Sequence, residues 1–410
     1  MDCILCDRTI SADNDSEEHV LPNAIGGRLK VAGVLCRVCN GWTGSEWDSA
    51  LCEQLNWFSL ILGITRERGE PPAMQVTTVD GQQLRLLPDG SMTPRHPTFK
   101  QKPLSETSTA LHIVARDHDD ARTLLKQAAQ SFPSLDVTSA LEQATHEHRY
   151  LTSPIQLSLL FGGPRTGRSV VKTALVFAAH KGIDAKTCLA ARRYLRAKDA
   201  HPEASQAIPP FSPLPVERLD TDLPAEPPFD YFYAQEILIA RPDRPLHGIA
   251  ISSRGTQGQL LAYVEYFEGR RCLVCLAENY DGPEVHTGHF IDPVAGETVD
   301  LEFDLALSRS EVGATLRGER HREDQMLAAF SLVLNRALRI AHERERNRVV
   351  TAALEEGLAA CGIEPDQEMS AEHIAVVTRT LAERLAPLMV AQRRAALGLP
   401  PGIAALRTDN

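Results

Sequence analysis

Two cysteine pairs of the same spacing stand near the start of the chain: "CILC", Cys3 and Cys6, and "CRVC", Cys36 and Cys39. A C-x2-C pair can bring two thiolates to one ion, and two such pairs supply the four sulfurs of a tetrahedral structural zinc site. Four buried free cysteines are the plain alternative, but matched pairs seldom arise from packing alone. Residues 7–35 separate the pairs, a wider gap than in most zinc ribbons, so a folded insert is expected between them. That insert holds "EEHVLPNAIGG" at residues 17–27, two carboxylates directly before a histidine. An imidazole is half-neutral near physiological pH and can take a proton from water, while carboxylates are hard oxygen donors for a cation.

The pattern of cysteine pair, acid-His-x-x-Pro, Gly-Gly, second cysteine pair and Asn resembles the HNH nucleases of the ββα-metal group, and most of all their zinc-knuckle subgroup with "EH(V/I)xP". The similar stretch, "CILC…EEHVLPNAIGGRLKVAGVLCRVCNGWTGSEWD", covers about the first 50 residues. The resemblance implies a hairpin, a divalent ion and a following helix. It assigns His19 as general base, with Glu18 and Asn40 as ligands of a catalytic ion. Oxygen donors of this kind favour Mg²⁺ or Mn²⁺ over zinc. Two metals with different tasks are therefore expected: structural Zn²⁺ on the four sulfurs, and Mg²⁺ or Mn²⁺ on Glu18, Asn40, waters and phosphate. Pro22 stiffens the chain after the base, and Gly26 and Gly27 allow the loop its turn.

Two departures stand out. Many relatives carry an Asn shortly before the second knuckle, where this chain reads "LKVAGVLC". Many also carry a Lys after the last ligand, where "GWTG" stands here. Phosphate contacts must then come from elsewhere, with Arg28, Lys30 and Arg37 as candidates. Asp48 is a candidate to support the ion's ligands, with a surface position on the next helix as the alternative.

The elements that must position these residues are legible only in outline. The 410-residue chain has the composition of a globular protein, 43% hydrophobic and 24% charged. It has room for more than one domain. The fold class expected is α+β: an N-terminal ββα-metal HNH module with a four-cysteine zinc site, a mixed α/β accessory region and C-terminal helices. In domains this gives 1–62 as the nuclease module, 63–201 as an α+β accessory domain and 202–228 as a Pro-rich linker. A β-rich antiparallel region follows at 229–305 and a helical region at 306–402. "SEWDSALCEQLNWFSLILGI" has helical spacing, and "MQVTTVDGQQLRLLPDG" reads as two strands across an Asp-Gly turn. "YFYAQEILIA", "HGIAIS", "QLLAYVEYFE", "RRCLVCLAE" and "TVDLEF" read as short strands of one sheet. Leu327, Phe330, Leu334 and Leu338 mark an apolar stripe on a late helix.

Three further motifs carry weaker signals. "GGPRTGRS" is a Walker-A pattern with Arg in place of Lys, between an expected strand "IQLSLLF" and a helix. Arg is not interchangeable with the compact lysine charge, so a Gly-rich helix start is the expectation. Arg165, Arg168 and Lys172 near that helix start remain candidates to grip phosphate. Cys272 and Cys275 in "CLVC" point to opposite faces of a strand and read as core. His286 and His289 read as ordinary polar positions rather than ligands.

Taken alone, the net charge of −11 argues against nucleic acid as a partner but leaves room for a local basic patch. No run is apolar enough to span a membrane. "MDCILCDRTI" lacks the segments of a signal peptide, so a cytoplasmic protein is the expectation. DNA is the expected partner, with a homo-oligomer and an activating ligand or partner protein as further options. The function expected is metal-dependent DNA cleavage, as in a restriction or phage-defence effector. The alternatives are a non-catalytic zinc module that binds nucleic acid or protein, and an RNA-cleaving nuclease with the same site.

Overall fold

The computed structural model describes residues 2–105, 108–145, 151, 153–156, 161–197, 227–320, 323–362 and 368–396. In chain order the first elements are β1 (Glu18–His19), β2 (Lys30–Val31), α1 (Arg37–Thr43) and α2 (Ser49–Leu62). There follow β3 (Met74–Thr78), β4 (Gln83–Leu86), β5 (Met92–Pro94), β6 (Thr98–Pro103), β7 (Thr109–Val114), α3 (His118–Ser131), α4 (Val137–Glu142) and β8 (Ile155–Gln156). Next come α5 (Pro164–His180), α6 (Leu189–Arg196), β9 (Phe229–Asp230), β10 (His247–Ser252), β11 (Leu260–Tyr266), β12 (Arg270–Ala277), β13 (His286–Asp292) and β14 (Glu297–Val299). Three helices close the chain: α7 (Arg309–Leu316), α8 (Glu323–Cys361) and α9 (Ala371–Ala396). The fold is α+β. Among the described residues, no helix is long and apolar enough to cross a membrane.

Two compact units divide the chain, each built from separated stretches: residues 1–71 with 159–339, and 72–158 with 340–410. The first unit is organised around an antiparallel six-stranded sheet in the order β14-β13-β10-β11-β12-β9. Every residue of β10 and β11 is buried. Burial on both faces explains why these strands read as near-continuous apolar runs without alternation. One face carries Ala250, Leu261, Tyr263, Leu273 and Cys275 against Tyr233, Leu238, Phe303, Leu305 and Val312. Helices α5 and α6 pack along β12, and α5 also touches β10 and β11.

Every residue of α5 from Thr166 to Ala178 is buried. The helix lies between the sheet and the N-terminal module, which touches it through α2 and through Gly44–Asp48, the π-helical stretch leading into α2. The Gly-rich motif therefore builds a helix start, as expected, with Gly163 at φ 91° followed by Pro164 in the first turn.

Some expected elements come out differently. "YFYAQEILIA" forms no strand: β9 is only Phe229 and Asp230 just before it, and the segment itself runs irregularly, with Leu238 bridging Phe303. Its apolar density covers a sheet face instead of forming a strand. "HGIAIS", "QLLAYVEYFE" and "RRCLVCLAE" form β10, β11 and β12 as read, only Thr298 and Val299 of "TVDLEF" belong to β14, and β13 was not expected. Cys272 and Cys275 are buried on β12, and His286 stacks on Phe303 at 4.2 Å with Nδ1 3.2 Å from Ser252 Oγ. The linker at 202–226, the core of "IQLSLLF" at 157–160, the side chain of Leu327 and the tail after Gly402 lie outside the described residues.

The second unit holds a four-stranded sheet in the order β5-β4-β3-β8 and a β6–β7 hairpin. It also contains α3 and α4, together with the later part of α8 against α9. Asp117 caps α3 by accepting from the Asp120 backbone N–H. Gly357 of α8 meets Val377 of α9, and Arg384 pairs with Glu356 at 2.8 Å.

His247 on β10 ties the sheet to the N-terminal module. Its Nε2 is 2.7 Å from the Ile25 carbonyl, and its Nδ1 accepts from the Phe267 N–H at 3.0 Å. An amide N–H can only donate, so Nδ1 carries no proton and Nε2–H donates to Ile25. Burial pushes the imidazole down to about 4, against the opposing pull of the Ile25 carbonyl. A histidine of ordinary pKa in the unfolded chain takes up a proton first, and the native state is then disfavoured. Stability is expected to fall as pH drops from about 6.5 towards 4. Chemical denaturation across that range, with His247→Gln flattening this part of the profile, checks it.

Candidate active site and zinc centre

The two knuckles are joined by backbone pairing before any ion is considered. Ile4 N–H donates to Val34 O at 3.1 Å, and Cys36 N–H points at Cys3 Sγ at 3.4 Å. Asp15 accepts the Gly33 N–H at 2.8 Å, fixing the approach to the second knuckle. Cys36 is the N-cap of α1 and Cys39 lies in its first turn. The four Sγ atoms lie within 4.8 Å of one another, and the Cys6–Cys36 Sγ separation is 3.8 Å. A tetrahedral zinc with Zn–S of about 2.3 Å requires sulfurs about 3.8 Å apart. The donor set and its spacing fit zinc, as the sequence suggested. Hydrogen bonds from Cys39 and Cys6 hold the Cys3 thiol far below its usual range, while the same crowding pushes Cys39 up. A divalent cation relieves that conflict by allowing all four to ionise.

The hairpin between the knuckles pairs Glu18 with Val31 and His19 with Lys30. Its loop needs its glycines. Gly26 has φ 100°, and a Cβ on Gly27 would lie 1.9 Å from the Leu21 carbonyl oxygen. Asn40, on α1, donates its amide to Glu17 O at 2.9 Å and Ser16 Oγ at 3.2 Å. It thereby pins the strand bearing His19 to the helix that carries Cys39.

His19 is one quarter exposed, and its Nε2 lies 3.5 Å from Glu67 Oε1. Glu67 also receives Lys30 Nζ at 2.7 Å, and its backbone N–H donates to Asn23 Oδ1 at 3.0 Å. Arg28 reaches back to Thr65 O at 2.7 Å. The segment after α2 is thus fastened beside the histidine. Burial holds the His19 imidazole below its ordinary value, against the pull of Glu67, with Lys30 and Arg28 adding to the lowering. The ring is neutral at neutral pH and able to accept a proton. A carboxylate can only accept, so the Glu67 contact favours the proton on Nε2 and leaves Nδ1 as the basic atom.

Glu18 faces the other way. It is 5% exposed and meets Lys172 Nζ at 2.5 Å through Oε1. Lys172, on α5, is 1% exposed and also pairs with Asp48 Oδ2. Asp48 Oδ1 accepts from Ser169 Oγ at 2.6 Å. Burial raises the Glu18 carboxyl in spite of Lys172. Burial alone would depress the Lys172 ammonium, but Asp48 and Glu18 outweigh it and hold it above its ordinary value. As it stands, this trio does not offer Glu18 as an open ligand for Mg²⁺ or Mn²⁺. Asn40 spends its amide nitrogen on the chain, and those bonds leave its amide oxygen, the atom a cation would use, unengaged.

The candidate phosphate-binding residues divide. Arg28 and Lys30 lie beside His19, while Arg37 is exposed at the start of α1. Arg165 is exposed and paired with Glu46 at 3.4 Å. Arg168 and Lys172 are buried at 2% and 1% exposure, so neither can grip a phosphate; Arg168 lies over the Tyr194 ring at 5.2 Å. Sequence reasoning missed Glu67, which stands in the charged run "TRERGE" without a pattern, and the true role of Lys172. A lysine amid "SVVKTALVF" was the available signal, because a charge on a buried helix requires a partner.

Residues 3–56 match the family model for HNH endonuclease. The match takes in the cysteine frame, the hairpin, α1 and the first half of α2. Glu67 and Lys172 lie outside it. Comparison with curated proteins and with solved structures gives no match.

Two outcomes are expected. Cys3→Ser loses zinc, read as metal per chain by elemental analysis, together with the cooperative melting of the N-terminal module. Asp48→Ala leaves the buried Lys172 with one carboxylate and lowers stability by about 3–5 kcal/mol, read by denaturant unfolding.

Proposed function

We propose that the protein is an endonuclease that hydrolyses DNA phosphodiester bonds through its HNH module. What carries this reading is His19: a partly exposed, neutral imidazole on the hairpin of the matched segment, with Arg28 and Lys30 beside it. Its Nδ1 takes a proton from water as the oxygen attacks phosphorus, and the ring becomes imidazolium. Lys30 and Arg28 supply positive charge beside the phosphate, with Lys30 released from Glu67 as the substrate arrives. Zinc holds the frame. Mg²⁺ or Mn²⁺ is the expected activating ion, since a divalent cation neutralises charge at the phosphate and leaving oxygen when bound. A restriction or phage-defence role, with the rest of the chain controlling the cut, is the biological setting proposed by analogy with such effectors.

A second reading has its own observation. Glu18 held by Lys172 suits a zinc module that binds nucleic acid or protein without cutting. Cleavage of supercoiled plasmid by wild type and His19→Ala, with Mg²⁺, Mn²⁺ or EDTA, separates the two. His19→Ala is expected to lower the rate about 10²- to 10⁴-fold with zinc content unchanged. Unchanged cutting by that variant removes His19 from the mechanism. Binding without cutting, on DNA and RNA alike and with every ion, supports the second reading.

The pH profile gives another check. The base works only when neutral, and burial lowers its pKa. The cleavage rate at limiting substrate is therefore expected to rise with pH through a value below the ordinary histidine value of about 6.5 and to stay flat above it.

A further inference from the structure

The Glu18–Lys172–Asp48 trio places one ammonium between two carboxylates, away from solvent. Lys172 Nζ is 2.5 Å from Glu18 Oε1 and also bonds Asp48 Oδ2, whose partner oxygen Oδ1 takes the Ser169 hydroxyl at 2.6 Å. Two hard oxygen donors converging on one positive centre are the arrangement a divalent ion would use. Here the charge comes from a side chain on α5, outside the residues that match the HNH family model. The ammonium cannot drift away. Its helix is buried from Thr166 to Ala178 and wedged between α2 and the six-stranded sheet.

We propose that Lys172 is the resident cation of the Glu18–Asp48 pair, so that Glu18 does not hold a divalent ion in the resting protein. An ion gains that carboxylate only by displacing a buried lysine. The proposal rests on reading residues 3–56 as an HNH module, and it changes what Glu18 does there. Glu18 is a positioning residue: held by Lys172, it fixes β1 and so the place of its neighbour His19. Any ion that serves the phosphate must draw its ligands from other groups, including the phosphate itself.

Mn²⁺ binding to the zinc-loaded full-length protein without nucleic acid, followed by electron paramagnetic resonance, tests this directly. Four proteins are compared: wild type, Glu18→Gln, Lys172→Met and the double variant. Glu18→Gln is expected to bind Mn²⁺ as wild type does, whether that binding is weak or absent. Lys172→Met leaves two buried carboxylates without a counter-charge and is expected to bind about tenfold tighter or more, a gain that Glu18→Gln removes in the double variant. A tenfold loss of Mn²⁺ affinity in Glu18→Gln alone overturns the proposal, as does a folded Lys172→Met with no gain. Should Lys172→Met fail to fold, judged by zinc content and circular dichroism, the Glu18→Gln comparison decides by itself. Because the readout needs no cleavage, a wild type that cuts nothing would count against the nuclease reading and leave this one standing.

Discussion

An ammonium with no access to water must be matched by charge, and that requirement at Lys172 organises the first unit of the molecule. An unpaired buried cation costs several kcal/mol, so α5 can sit in the core only if Glu18 and Asp48 come to meet it. Glu18 belongs to the hairpin, Asp48 to the π-helical entry of α2, and Lys172 to a helix that covers the sheet. One cation therefore fixes three elements drawn from both of the unit's two stretches of sequence. Hydrophobic packing around it, with Trp47 and Phe58 fully buried, supplies adhesion without direction. The ion trio supplies direction, because a carboxylate must lie within hydrogen-bonding reach of a fixed nitrogen.

The histidine benefits from the same order. Its strand is held from one side by Asn40 and from the other by the Glu18 contact, while Glu67, Asn23 and Arg28 secure the chain that runs past it. Burial then keeps the ring neutral. The four cysteines add the outer brace: a zinc on their sulfurs would fix the distance between the start of the chain and α1, and so the place of Asn40. Geometry and protonation state are thus set by groups that do not themselves react.

How much of this could be read in the sequence follows from the range of each interaction. The cysteine frame was legible because tetrahedral coordination demands particular residues at short spacing, and the Glu18–His19 hairpin because the resemblance to HNH nucleases implies one. The strands β10, β11 and β12 were legible because runs such as "QLLAYVEYF" have no polar face to offer water, whereas β13, with histidines at His286 and His289, was not legible as a strand. "YFYAQEILIA" misleads because apolar residues that cover a sheet look the same as those that pair within one. Lys172 and Glu18 lie 154 positions apart, and no local pattern marks two groups that only tertiary folding brings together. Charge and nearness to a helix start point Lys172 and Arg168 towards phosphate, and burial decides otherwise. Glu67 carries no signal, since an exposed glutamate in a charged run is the commonest thing on a protein surface.

The wedging of α5 has a consequence for modularity. An HNH segment of some fifty residues looks like a cassette that could be cut out and joined to another protein. Here its inner face is upholstered by a helix encoded far downstream, and its two innermost acids have their counter-charge there. Excised, the cassette would leave Glu18 and Asp48 facing each other without a mediator. The HNH segment and its body are therefore tied by charge, and a chimera that swaps one without the other is expected to meet a charge mismatch at the seam.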